Sequence, residues 1–149
     1  MISKTGYKNR VAKVREIMRR HKVDAILLTD PISVRYCSGF TGEDSYLLIL
    51  PRSVILLTDG RFTEQARLST YGVKIVVRRG EMIATVANVL KQRKIHNIGI
   101  EADNLTVVAN KRLNSAIKPI RIKPLEDVVK RLRQIKDEDE VSSIRASIR

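Results

Sequence analysis

The sequence predicts an α/β domain: a mixed β-sheet of five to six strands, one antiparallel hairpin among them, flanked by helices. Three observations predict it. Short apolar runs of strand length alternate with stretches whose apolar residues recur at helical spacing. Two of those runs are joined by only three residues, Pro51-Arg52-Ser53, which makes them a hairpin. Asp30-Pro31, Asp59-Gly60 and Gly72 then fall at the breaks between runs.

Taken in order, Tyr7, Val11, Val14 and Met18 recur at i, i+4, i+7 and i+11 with Lys and Arg between them, an amphipathic helix that stops near His21-Lys22. Val23 to Thr29 is an apolar run short enough to be a strand covered on both faces. Asp30-Pro31 closes it, because proline donates nothing to a ladder and restrains the residue before it. Ser33 to Asp44 reads as a loop, followed by the hairpin strands Tyr46–Leu50 and Val54–Thr58. Arg61 to Tyr71 reads as a helix, Val73 to Val77 as a strand, and Met82, Val86, Val89 and Leu90 as one face of another helix. A strand Asn97–Glu101, a helix Thr106–Ile117 and a short strand Ile120–Ile122 before Pro124 complete the sheet.

Asp127 to Ile135 reads as a short helix, and Asp137 with Glu140 has cap-and-third-position spacing for one more. Val141, Ile144 and Ile148 continue that last helix along one face, and the chain stops at Arg149. An amphipathic helix ending on its own apolar stripe predicts a missing partner domain; a terminal helix docking back on the domain is the alternative. The expected division is a domain over 1–134 and, over 135–149, a linker with the start of a further domain's first helix.

A chain of 149 residues with 43% hydrophobic content can bury a core without metals or disulfides. No run approaches the roughly 18 apolar residues of a membrane span, and the N-terminus lacks the apolar segment of a signal peptide. The single Cys37 leaves no internal disulfide, so a reducing cytoplasm is the expected compartment. Cys37 reads as a small buried hydrophobe rather than a nucleophile, since no histidine lies near it in sequence.

The charge is lopsided, 29 Lys+Arg against 16 Asp+Glu, for a net +13. A nucleic-acid-binding module is one reading of that excess. Against it, the basic residues spread over helix faces, eight between Lys4 and Lys22 and nine between Lys111 and Lys136, and aromatics suited to base stacking are scarce. Solvated helix faces, balanced by an acidic partner domain, are the favoured reading.

Catalytic signatures are missing from the pattern. His21 and His96 have no second ligand at i+2, i+3 or i+4, the seven glycines occur singly, and no Gly-x-Ser-x-Gly elbow occurs. The acids Glu43-Asp44, Glu101 with Asp103, and Asp137 to Glu140 read as turn formers, caps and solvated charge. The expectation is no catalytic residue, metal or cofactor in this chain. The Ser33–Asp44 segment stands out because Phe40 sits between Gly39 and Gly42 beside Glu43 and Asp44. A Phe held there is a core plug or a contact for a partner.

At this segment the sequence resembles the N-terminal domain shared by creatinase, prolidase and aminopeptidase P. That family carries a stretch of the type Asn-x-Arg-Tyr-Leu-(Ser/Thr)-Gly-Phe-x-Gly, present here as Val34-Arg35-Tyr36-Cys37-Ser38-Gly39-Phe40-Thr41-Gly42, with Ser33 where asparagine is common. An Asp-Gly-Arg-Tyr-x-x-Gln-Ala type stretch follows as Asp59-Gly60-Arg61-Phe62-Thr63-Glu64-Gln65-Ala66, with Phe62 where tyrosine is usual. Ile98-Gly99-Ile100-Glu101 precedes a helix, and Leu132 to Val141 looks like the junction into the catalytic "pita-bread" domain.

The resemblance implies a non-catalytic N-terminal domain of a proline-specific metallopeptidase, an aminopeptidase P or prolidase whose full-length form cleaves Xaa-Pro bonds. It implies two divalent metals, manganese, cobalt or zinc, held by a catalytic domain outside this chain. Its partners would be that domain, proline-containing peptides and a neighbouring subunit, in a homo-oligomer such as a dimer. The domain would serve oligomerisation and cover the active-site entrance, restricting substrate size. Onto this chain the resemblance carries Arg35, Phe40, Glu43 and Asp44 as partner or entrance contacts, Phe40 foremost, with Arg61 beside them. A peptidase-like protein-binding domain without catalysis is the other reading of the same resemblance.

Overall fold

A computed structural model describes residues 2–148, which form one six-stranded mixed sheet with helices on both faces. The strands are β1 (Ala25–Leu28), β2 (Tyr46–Ile49), β3 (Val54–Thr58), β4 (Lys74–Val77), β5 (Asn97–Glu101) and β6 (Arg121–Leu125), in the order β4-β3-β2-β1-β5-β6. β1, β2 and β3 pair antiparallel, with Ile26 opposite Ile49 and Leu48 opposite Ile55. β3–β4, β1–β5 and β5–β6 are parallel.

β1, β2 and β3 up to Leu57 are apolar because both of their faces are covered. Side chains alternate across a strand, so Ile26 and Leu28, Leu47 and Ile49, and Val54 and Leu56 face one core. Ala25 and Leu27, Leu48 and Leu50, and Ile55 and Leu57 face the other. The first core is closed by α1 (Lys4–His21), α2 (Pro31–Ser38), α3 (Thr63–Ser69) and α6 (Val128–Gln134). The second is closed by α4 (Met82–Lys91) and α5 (Val107–Ile117). Each fully buried Leu or Ile on these faces contributes about 1.5–3 kcal/mol of hydrophobic stabilisation.

The helix ends follow their local chemistry. Ser3 caps α1 by accepting from the Gly6 N–H, and Lys22 ends it in the left-handed region at φ 54°. Thr106 caps α5 through the Ala109 N–H. The last helix, α7 (Glu138–Ile148), starts with a reciprocal capping box: Glu140 N–H donates to Asp137 Oδ1 at 2.8 Å, and Asp137 N–H donates to Glu140 Oε2 at 3.1 Å. No residue of α7 is buried, unlike those of α1 to α6.

Three expectations are corrected. Ser33 to Asp44 is not a loop throughout, because Pro31–Ser38 form α2. Asp30 is its N-cap, accepting from the Ile32 N–H, and Pro31 occupies the first helical position, where its missing N–H costs nothing. The same Asp-Pro pair that ends a strand therefore starts a helix. The stretch from Arg61 to Tyr71 is shorter than expected, a 3₁₀ turn over Gly60–Phe62 running into α3. Finally, β6 extends through Pro124, which is tolerated because β6 is an edge strand.

Candidate functional site

The two stretches singled out in the sequence, Val34–Gly42 and Asp59–Ala66, fold into a single unit at the end of β3. Phe40 and Phe62 meet edge to face at 6.0 Å, and Gln65 Nε2 donates to Thr41 Oγ1 at 2.8 Å. Both glycines of the first stretch answer to packing. Gly39 ends α2 at φ +82°, and a Cβ there would meet the Ser69 carbonyl at 2.7 Å and the Tyr7 hydroxyl at 2.8 Å. At Gly42 a Cβ would fall 2.3 Å from Phe40 Cζ, so the bare backbone lets the Phe40 ring lie beneath it.

That placement corrects the expectation for Phe40. Its side chain is 1% exposed and belongs to the first core, so the ring offers no surface to a partner. Of the two readings weighed for this residue, the core plug is the one realised. Arg35, Glu43, Asp44 and Arg61 are exposed. Asp44 and Arg61 are brought together, Arg61 Nη2 lying 3.5 Å from Asp44 Oδ2. Arg61 is held more firmly by Asp59, with Nη2 at 2.7 Å and Nε at 3.1–3.2 Å, while the Asp59 carboxylate also takes the Arg61 N–H at 2.9 Å. These donors hold the Asp59 carboxyl below its ordinary pKa, and the Asp59 carboxylate in turn raises that of Arg61. The Asp-Gly-Arg stretch is thus a turn locked by its own charged ends.

Arg35 lies apart from that pair. It lines a cleft of about 860 Å³ between α2 and α7, together with Ile32, Thr41, Gly42 and Ile144. Ile32 and Ile144 are about half exposed, at 51% and 47%. The same cleft is lined by a buried cation of α1, Arg10, that no sequence motif marks. Arg10, 2% exposed, donates from Nε to Asp137 Oδ2 at 2.7 Å and from Nη1 to the Tyr36 carbonyl at 3.0 Å. Its Nη2 lies 2.7 Å from Asp137 and 3.5 Å from Glu140, and its guanidinium stacks 4.1 Å from the Tyr36 ring centroid. Ser3 reinforces the attachment, its N–H and hydroxyl both donating to Asp139 Oδ2, at 3.0 and 2.7 Å. Three acids read as cap and solvated charge therefore also anchor α7 to α1. The missed signal was position: Arg10 falls three residues after Tyr7 and four before Val14, inside the apolar stripe.

Glu101 is likewise not solvated. It is 7% exposed, and its Oε2 accepts from the Thr29 and Asp30 N–H groups at 2.8 and 2.9 Å. Burial raises its pKa above the ordinary value despite those donors. β1 leads to a helix on one face of the sheet and β5 to a helix on the other, a switch point where α/β sheets often admit a ligand. Here the Glu101 carboxylate occupies it. Cys37 is buried at 1% exposure, and burial pushes its thiol up to about 12.

His21 ends α1 and His96 precedes β5. Among the described residues, no three His, Cys, Asp or Glu side chains are grouped to hold a metal ion. No helix among them is long and apolar enough to cross a membrane.

Comparison with known proteins matches residues 10–135 to the Creatinase/Prolidase N-terminal domain family. An uncharacterized peptidase of Bacillus subtilis, YqhT, is 29% identical over 132 residues, 89% of this chain and 37% of that protein. An uncharacterized peptidase of Staphylococcus aureus is 26% identical over 144 residues, 91% of this chain and 39% of its own length. The chain therefore spans about two fifths of the curated relatives it matches. Among solved structures, an Xaa-Pro dipeptidase from Bacillus anthracis superposes with a TM-score of 0.86 at 32% identity, over 91% of this chain and 38% of that one. The N-terminal domain of the cytoplasmic peptidase PepQ from Mycobacterium tuberculosis superposes with a TM-score of 0.78 at 27% identity, over 84% of this chain and 98% of that one.

Proposed function

The chain belongs to the creatinase/prolidase N-terminal domain family, and from that premise we propose that it is the non-catalytic N-terminal domain of a cytoplasmic Xaa-Pro metallopeptidase. In this reading it helps assemble the subunits of a homo-oligomer and covers the active-site entrance of a neighbouring subunit, limiting the size of peptide admitted. The observation that carries the proposal is one of span. The chain aligns over nine tenths of its length with an Xaa-Pro dipeptidase yet covers only 38% of it. The hydrolytic machinery then belongs to a following domain, and so do the two divalent metals, manganese, cobalt or zinc. The residues described here have no part in holding them.

α7 suits the start of that following domain. The family match ends at residue 135, just before the helix, and α7 is fixed at its first turn while Ile144 and Ile148 stay open. Arg35 in the α2–α7 cleft and the exposed Glu43, Asp44 and Arg61 are the polar groups offered to a neighbouring subunit.

The test compares this chain with the full-length peptidase. The isolated chain with manganese is expected to leave Xaa-Pro peptides intact while the full-length protein cleaves them; robust metal-dependent turnover by the chain alone overturns the proposal. In the full-length protein, Arg35→Glu with Arg61→Glu is expected to lower the oligomer mass and to raise kcat/KM for long peptides relative to dipeptides. An unchanged mass and an unchanged length preference remove the entrance role.

A further inference from the structure

A second cleft, of about 580 Å³, lies between α1, the β2–β3 turn and the segment leading into β4. Its size is within the range of small-molecule pockets, roughly 300–1,000 Å³. Its lining divides by chemistry. The floor is apolar, formed by Val11, Val54 and Val73, and Tyr7 and Tyr71 make a wall with ring centroids 6.1 Å apart at 30°. The rim carries Lys4, Lys8, Arg15 and Arg52, and no Asp or Glu lines the cleft. Among the described residues, none of these four cations forms a salt bridge.

Arg15 is built into the cleft rather than waving above it. Its Nε donates to the Leu50 carbonyl at 2.9 Å and its Nη2 to the Ser53 carbonyl at 3.4 Å, strapping the hairpin turn to α1. Its partners are thus neutral, and partial burial lowers its pKa. Four like charges gathered over an apolar floor raise the local positive potential, and an anion entering the cleft relieves it.

We propose that this cleft is a binding site for a small organic anion, a flat apolar body carrying a phosphate or carboxylate. The body lies on the valine floor against the two tyrosines, and the acid group meets the rim cations. Guanidinium groups suit planar and tetrahedral oxyanions alike.

The test is titration calorimetry at low salt with 1-naphthyl phosphate and 1-naphthoate. 1-Naphthol tests the body without charge, and inorganic phosphate tests the charge without a body. Saturable one-to-one binding of one or both acids is expected, and which acid binds identifies the group the site takes. Affinity is expected to fall about tenfold or more in Lys8→Ala/Arg52→Ala, whose side chains are exposed. Lys111→Ala/Arg112→Ala, exposed on α5 across the sheet, serves as the control and is expected to leave affinity unchanged. The proposal is overturned if wild type shows no saturation, if 1-naphthol or inorganic phosphate binds as tightly as the acids, or if both double variants lose affinity equally.

Discussion

Glu101 ends β5 with its carboxylate inside the fold, where two backbone donors satisfy one oxygen while burial opposes the charge. Removing the acceptor by Glu101→Ala orphans the Thr29 and Asp30 N–H groups, at about 1–3 kcal/mol for each donor left dry. Glu101→Gln keeps an acceptor and removes the charge, so the two variants separate hydrogen bonding from ionisation. The folded pKa is raised, so the contribution of Glu101 is fully present below the ordinary value of 4.5 and is lost as pH rises through the folded value. Urea unfolding across that range is therefore expected to show wild type losing stability relative to Glu101→Gln as pH increases. A pH-independent difference would contradict it. Phe40 makes the matching apolar case. With its ring in the core, Phe40→Ala is expected to cost about 3–5 kcal/mol in the isolated chain, and an unchanged unfolding midpoint would contradict that.

The element whose position depends most on single residues is α7, which buries none of its side chains and is held by its first turn. Arg10 is the main tie, with Asp137 and Glu140 about one fifth exposed around it. Arg10→Ala is expected to cost about 2–3 kcal/mol, below the 3–5 of a fully buried pair because the stranded acids regain water. Arg10→Met fills the volume without a charge. It is expected to speed amide exchange along α7 from Val141 onward while leaving the β2 amides protected; equal protection of both would show that the ion pair does not hold the helix. Asp139 adds a pH dependence of defined sign. The Ser3 donors depress its pKa, so its hold is present above the ordinary value of 3.8 and is lost as pH falls through the folded value. Acidification is thus expected to free the Ser3 amide before the sheet unfolds. The capping box of α7 was legible from spacing alone, because Asp137 and Glu140 act on the backbone next to them. The Arg10 tie was not, because it joins residues 127 positions apart and no local pattern records that pairing.

At the scale of the whole molecule, the mixed sheet was readable because β1, β2 and β3 are covered on both faces and so carry unbroken apolar runs of four residues. What escaped reading was dual-purpose. Asp30-Pro31 both closes a strand and opens α2, and Phe40, whose core reading is the one realised, was also carried by the resemblance as a partner contact. The exposed candidates were readable only as a resemblance, since Arg35, Glu43, Asp44 and Arg61 follow no periodicity that marks a surface. Cys37, by contrast, was correctly placed inside, and it reports on the cooperativity of the entire fold. It lies in the first core with residues of α1, α2 and the sheet, at 1% exposure beneath the cleft beside α1, so labelling is expected to need those layers to part. Burial pushes its thiol up to about 12, so the reactive thiolate is scarce while the domain stays folded. Labelling by a thiol-reactive disulfide is therefore expected to proceed through opening of the domain. Its rate in increasing urea should follow the same slope as global unfolding measured by circular dichroism. Labelling that is fast in native buffer and indifferent to urea would mean that α1 lifts from the sheet on its own. The two cores would then not form one cooperative unit.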